Sequence, residues 1–148
     1  MSTSSVNTLT HLLDIQRERL AVYREFQAST NDPYFKSALS FVIEDTLEAI
    51  ARAASRLRQL GERTADLSSG TVPDLNVSLG QAQEELAHKL LFVWHALMDQ
   101  LDWYNVKIKT LLDDADTQAI LVALAEQNRV RLERWDNLLD EMKVFRNS

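Results

Sequence analysis

The segment Asp114–Leu139, DADTQAILVALAEQNRVRLERWDNLL, has a counterpart 82 positions earlier in Asp32–Leu57, DPYFKSALSFVIEDTLEAIARAASRL. Asp32 answers to Asp114, Leu39 to Leu121, Val42 to Leu124, Glu44 to Glu126, Ile50 to Leu132 and Leu57 to Leu139. The stretch ahead of each segment repeats too, at an offset of 81: Leu12 matches Val93, Leu13 matches Trp94, Leu20 matches Leu101 and Tyr23 matches Tyr104. Apolar residues in both halves recur at three- and four-residue intervals, the period of a helix that buries one face. The chain therefore reads as one helical hairpin written twice.

Composition agrees with an all-α fold. Two prolines and three glycines in 148 residues leave little to interrupt helices, and Ala, Leu, Glu, Gln and Arg, all good helix formers, dominate. The length suits a single domain, 1–148, with a substantial core. The absence of cysteine removes disulfides, thiolate metal sites and thiol nucleophiles from consideration. The formal charge of −6 and a pI near 5.0 disfavour a nucleic-acid partner, which requires a basic surface to displace counterions. No apolar run approaches the roughly 20 residues that span a bilayer, and the opening Met-Ser-Thr-Ser-Ser lacks the pattern of a signal peptide. The expectation is a cytoplasmic protein with no membrane association. Arg52, Arg56, Arg58 and Arg63 cluster near one helix end, where cations complement the negative end of the helix macrodipole.

The spacing predicts helices over about 6–29, 33–60, 79–112 and 116–145, with a long connection over 61–78. In the first, Leu9, Leu12, Leu13, Leu20, Tyr23 and Phe26 share a face. Asp32 is placed to cap the second helix, Pro33 to begin it, and Gly61 to end it in the left-handed conformation. Its inward residues are Leu39, Ile43, Thr46, Ile50, Ala53, Leu57 and Leu60. The inner stripe of the third helix is Leu86, Leu90, Val93, Leu97, Leu101, Tyr104, Ile108 and Leu111. Asp113-Asp114-Ala115-Asp116 supplies a short turn with capping groups before the fourth. In the connection, Leu67, Val72, Leu75 and Val77 predict a segment lying along the bundle flank. Two short turns and one long crossover indicate a four-helix bundle of two antiparallel hairpins.

This layout resembles the ferritin-like superfamily, in particular rubrerythrin-like domains. The resemblance is carried by the helix phasing, the hairpin repeat, Tyr23 and Tyr104, and segments such as DPYFKSAL and RLRQLG. It implies the ferritin-like fold and, in metal-binding members, two iron or manganese ions held by a Glu from each of helices 1 and 3 and a Glu-x-x-His from each of helices 2 and 4. Laid on this chain, that pattern puts the first Glu on Gln16 and the first Glu-x-x-His on Thr46 and Ala49. The helix 3 Glu falls on Leu97 or Met98, and the second Glu-x-x-His on Asn128 and Arg131. None of these is a usual ligand, and a guanidinium at 131 would repel a cation. No di-iron cofactor is expected. Glu44, Glu48 and Glu126 phase toward solvent and do not replace the missing acids. The single literal Glu-x-x-His, Glu85 to His88, and the nearby His95 also point away from the inner stripe.

Two anomalies remain. Gln16, Thr46, Gln127, Asn128 and Arg131 phase toward the interior, with Arg19 at its edge and Tyr23 and Tyr104 as partners within reach. Buried polar groups need partners. They form either a self-satisfied layer or a small pocket for an anion, since Arg131 has no carboxylate in phase with it. The second anomaly is the outer face of helix 3, where Phe92, His95, Asp99 and Trp103 recur at helical spacing beside His88 and Val106. Either the crossover packs over these residues or they form a two-fold homodimer interface. No catalytic set can be assembled with credible phasing. The functional expectation is a non-enzymatic ferritin-like module for structure or interaction. The alternatives are an iron- and oxygen-handling protein with non-standard ligands, or a carrier of a small ligand in the polar pocket.

Overall fold

The computed structural model describes residues 3–62 and 86–146. Every regular element among them is a helix: α1 (Thr3–Ser29), α2 (Pro33–Gln59), α3 (Leu86–Ile108) and α4 (Ala115–Glu141). They form a four-helix bundle in which α1 packs most closely on α2, and α3 on α4, while narrower α2–α4 and α1–α3 seams close it. Most of the connection expected at 61–78, with Leu67, Val72, Leu75 and Val77, lies outside the described residues, as does the start expected for the third helix.

The internal repeat reappears in the chemistry of the helix ends. Asp32 caps α2 by accepting the Phe35 amide at 2.9 Å, and Asp114 caps α4 by accepting the Thr117 amide at 3.1 Å. At the other end of α2, the Glu62 amide donates to the Leu57 carbonyl and the Gly61 amide to that of Arg58. At the end of α4, Val144 donates to Leu139 and Lys143 to Asp140. These are two copies of one Schellman closure, and in each the residue after the cap is left-handed, Gly61 at φ 92° and Lys143 at φ 58°.

That closure explains why α4 stops at Glu141 instead of running on to 145 as expected: Lys143 turns the chain, and Val144 packs back on the core. α3 likewise stops at Ile108, short of 112, because Thr110 bonds the Lys107 carbonyl and the Gln118 side chain takes that of Ile108. Lys143 carries a Cβ in a conformation that costs an L-residue about 1 kcal/mol. Lys143→Gly is therefore expected to raise the unfolding free energy by about 0.5–1 kcal/mol in a urea melt. Gly61→Ala, where a Cβ meets nothing within 4 Å, should lose about as much through backbone strain alone.

The inward stripes are buried largely as expected, with Leu20, Ile50, Leu60, Leu86, Leu101 and Ile108 only partly covered. The core, however, is two clusters. One gathers Tyr23, Phe26, Phe35, Leu39, Val93, Leu97, Trp135 and Leu139. The other gathers Leu9, Leu12, Leu13, Ala53, Leu57, Tyr104, Leu111, Leu121 and Leu124. Along each helix the residues between the two are polar: Gln16 on α1, Thr46 on α2, Gln100 on α3 and Asn128 on α4.

Candidate functional site: a polar layer between two apolar cores

The layer is made by single polar residues on otherwise apolar stripes, so the helix phase that buries the neighbours buries these side chains as well. Thr46 satisfies itself by donating to the Val42 carbonyl of its own helix at 2.8 Å. Asn128 donates to the Leu97 carbonyl at 2.8 Å and accepts from the Gln100 amide at 2.9 Å, which ties α4 to α3 across the bundle. Gln16 is different. It is 0% exposed, and neither its amide nitrogen nor its oxygen has a hydrogen-bond partner among the described residues.

The tyrosines flank the layer on opposite sides, Tyr23 in one apolar cluster and Tyr104 in the other. Burial pushes the Tyr23 phenol well above its ordinary range, partly countered by the Arg19 charge, and burial raises that of Tyr104 as well. Both are neutral hydroxyls at working pH. The Tyr23 hydroxyl, like Gln16, is buried with no partner among the described residues.

Two residues expected in this pocket lie elsewhere. Gln127 and Arg131 sit at the α2–α4 seam, only partly buried. The Gln127 amide donates to Asp45 at 3.0 Å and Glu48 at 3.1 Å, and the Arg131 Nε donates to Asp45 at 2.7 Å. The Arg131 guanidinium also stacks on Phe41, 5.2 Å from the ring centroid. The expectation that Arg131 lacks a carboxylate is thus overturned, and with it the anion pocket placed there. The missed residue is Asp45. It stands one helical turn before Ala49, the repeat mate of Arg131, and that spacing was the available signal.

Two of the unpaired polar groups lie instead at the α1–α3 seam. There Leu12, Ile15, Arg19, Asp99, Gln100 and Trp103 line a cavity of about 200 Å³. The Arg19 Nε and Trp103 Nε1 are buried without partners among the described residues, as are the Gln16 amide one turn before Arg19 and the Tyr23 hydroxyl one turn after it. This also locates the outer aromatics of the third helix. Trp103 meets His11 edge-on at 5.7 Å, and Phe92 meets Phe26 edge-on at 5.4 Å with the Arg19 guanidinium over its ring at 5.9 Å. Both aromatics are engaged with α1, although Phe92 stays 37% exposed. His95 and Asp99 are exposed, and His95 lies against Trp94.

The fit of a di-metal centre is decided by the donor set. At the positions onto which the ferritin-like resemblance lays its ligands, Gln16, Thr46, Ala49, Leu97 and Asn128 are buried and uncharged, Met98, the alternative to Leu97, is an exposed thioether, and Arg131 is committed to Asp45. Hard cations require anionic oxygen or imidazole donors, so these residues do not fit the group. No cluster of three or more His, Cys, Asp or Glu side chains occurs among the described residues, and no helix among them is long and apolar enough to cross a membrane.

A second polar centre lies at the base of α4. Asp114 accepts from the Thr117 hydroxyl at 2.6 Å, the Ser5 hydroxyl at 2.7 Å and Arg56 at 2.8 Å, besides the amide it caps. Arg56, in the last turn of its own helix as expected, also joins α2 to α4 here, and Arg52 pairs with Glu48. This knot is structural: every acceptor site of the carboxylate is occupied from within the chain. Comparison of the chain with family models, with curated proteins and with solved structures finds no match.

Proposed function

We propose that the chain is a non-catalytic bundle of the ferritin-like type, two antiparallel hairpins joined by a crossover, acting as a structural or interaction module without a di-iron centre. The observation that carries this reading is the identity of the mid-bundle layer. A family that works through metal places carboxylates and imidazoles there; this chain places an amide, a hydroxyl, a methyl, an isobutyl or thioether side chain and a second amide. The single cation at the equivalent positions, Arg131, turns to Asp45 at the α2–α4 seam. Such a layer cannot neutralise two divalent ions.

The test is elemental analysis of protein purified from iron- and manganese-supplemented cells, without chelators. The expected result is far less than one transition-metal ion per chain, and no change in melting temperature on adding ferrous or manganous salts. Two ions per chain, retained through gel filtration, would overturn the reading.

A further inference from the structure

Two buried N–H donors without partners among the described residues, the Arg19 Nε and the Trp103 Nε1, belong to residues that line one cavity at the α1–α3 seam. On α1 the Gln16 amide and the Tyr23 hydroxyl, one turn before and one turn after Arg19, are likewise buried without partners among the described residues. Leaving a buried donor unmet is unfavourable, and for a cationic group more so. No ion pair to Arg19, Arg17, Arg24 or Arg134 occurs among the described residues, and of these four arginines only Arg19 has an Nε that is buried without a partner there. Its guanidinium lies over the face of Phe92 and its charge acts on the Tyr23 phenol, and neither occupies the Nε, which has no partner among the described residues.

The walls identify the ligand. Leu12, Ile15 and the Trp103 ring are apolar, and the cavity of about 200 Å³ is somewhat larger than the roughly 150 Å³ that accommodates benzene. Two N–H donors, one from a guanidinium, match the two oxygens of a carboxylate. A phosphate dianion fits less well, because the Asp99 carboxylate lines the same cavity and only one cation offsets it. A neutral apolar molecule would leave both donors unmet. We propose that this seam binds a small amphiphilic monocarboxylate, its headgroup taken by the Arg19 and Trp103 N–H groups and its ring or short chain lying along Leu12 and Ile15. The site does not depend on whether the mid-bundle layer binds metal.

Benzoate serves as the probe and benzyl alcohol as its neutral counterpart. Titrating ¹⁵N-labelled protein with each reports on the three tryptophan indole N–H resonances, and loss of one signal in Trp103→Phe assigns the relevant peak. The expected result is a saturable shift of the Trp103 indole with benzoate, with Trp135 unmoved because its N–H is already held by the Leu90 carbonyl. Benzyl alcohol should bind at least roughly tenfold more weakly, and Arg19→Met should weaken benzoate by a similar factor. Arg19→Lys, which keeps the charge, should retain part of the affinity and serves in place of Arg19→Met if that variant does not fold. No saturable shift with benzoate, equal binding of the alcohol, or unchanged affinity in the folded Arg19 variants would each overturn the proposal.

Discussion

Asp114→Ala is expected to lower the unfolding free energy by about 3 kcal/mol, read from urea melts at neutral pH. Losing the cap of α4 accounts for about 1–2 kcal/mol. The rest comes from Arg56, whose side chain is only 13% exposed and would lose its carboxylate, together with the Ser5 and Thr117 hydroxyls. Asp114→Asn keeps a competent cap and should cost less, about 1–2 kcal/mol, so the two variants separate capping from charge. Asp32→Ala is the internal control. Its side chain accepts the Phe35 amide, with no ion pair to it among the described residues, so about 1 kcal/mol is expected.

The same centre sets an acid dependence. Desolvation works against the Asp114 carboxylate, but the hydrogen bonds from the Thr117 hydroxyl, Ser5, the Thr117 amide and Arg56 outweigh it and hold the carboxyl well below its ordinary value of 3.8. A group with a lowered folded pKa contributes stability that is complete above the unfolded pKa and is lost as the pH falls toward the folded one. The wild-type chain should therefore lose stability more steeply than Asp114→Asn as the pH drops below about 5. Parallel acid profiles for the two proteins would refute this role.

Trp135→Ala carries the other large effect, an expected loss of about 3–5 kcal/mol. Its ring is 2% exposed, sits edge-on to Phe35 at 6.1 Å and donates to the Leu90 carbonyl at 2.9 Å, joining α4 to both α2 and α3. Trp135→Phe keeps most of the buried ring and deletes the donor, so about 1 kcal/mol is expected. Trp135 lies in one apolar cluster, while Asp114 lies at the foot of the other, next to Leu111 in the chain turn. The two substitutions share no partner, so the double variant should lose the sum of the single losses to within about 0.5 kcal/mol. The urea transition should stay a single step, because the Asn128 bonds to Leu97 and Gln100 bridge the layer between the clusters. Two resolved transitions would mean that the polar layer splits the bundle into separately melting halves.

Much of the fold was legible because it depends on local periodicity. The match of Asp32 to Asp114 located both caps, and Gly61 the closing turn of α2. Gly61 announced its left-handed turn, while Lys143 did not: a lysine there carries no conformational signal, and only the carbonyls of Leu139 and Asp140 pull it into place. The burial of Gln16, Thr46 and Asn128 also followed from phase, since a helix that buries its apolar neighbours must bury them too.

By itself, then, the sequence determined four helices, their inward faces, their caps and the polar character of the middle of the bundle. Only the tertiary structure decided which polar groups were answered. Phase gives the direction of a side chain about its own helix, but not the height of the facing helix against it. That relative height brings Asp45 to Arg131, Arg56 to Asp114 and the Leu97 carbonyl to Asn128, and leaves Arg19 and Trp103 at the α1–α3 seam with donors unmet among the described residues. A hydrogen bond is made or lost within an ångström, so a repeat that fixes the fold cannot fix its site.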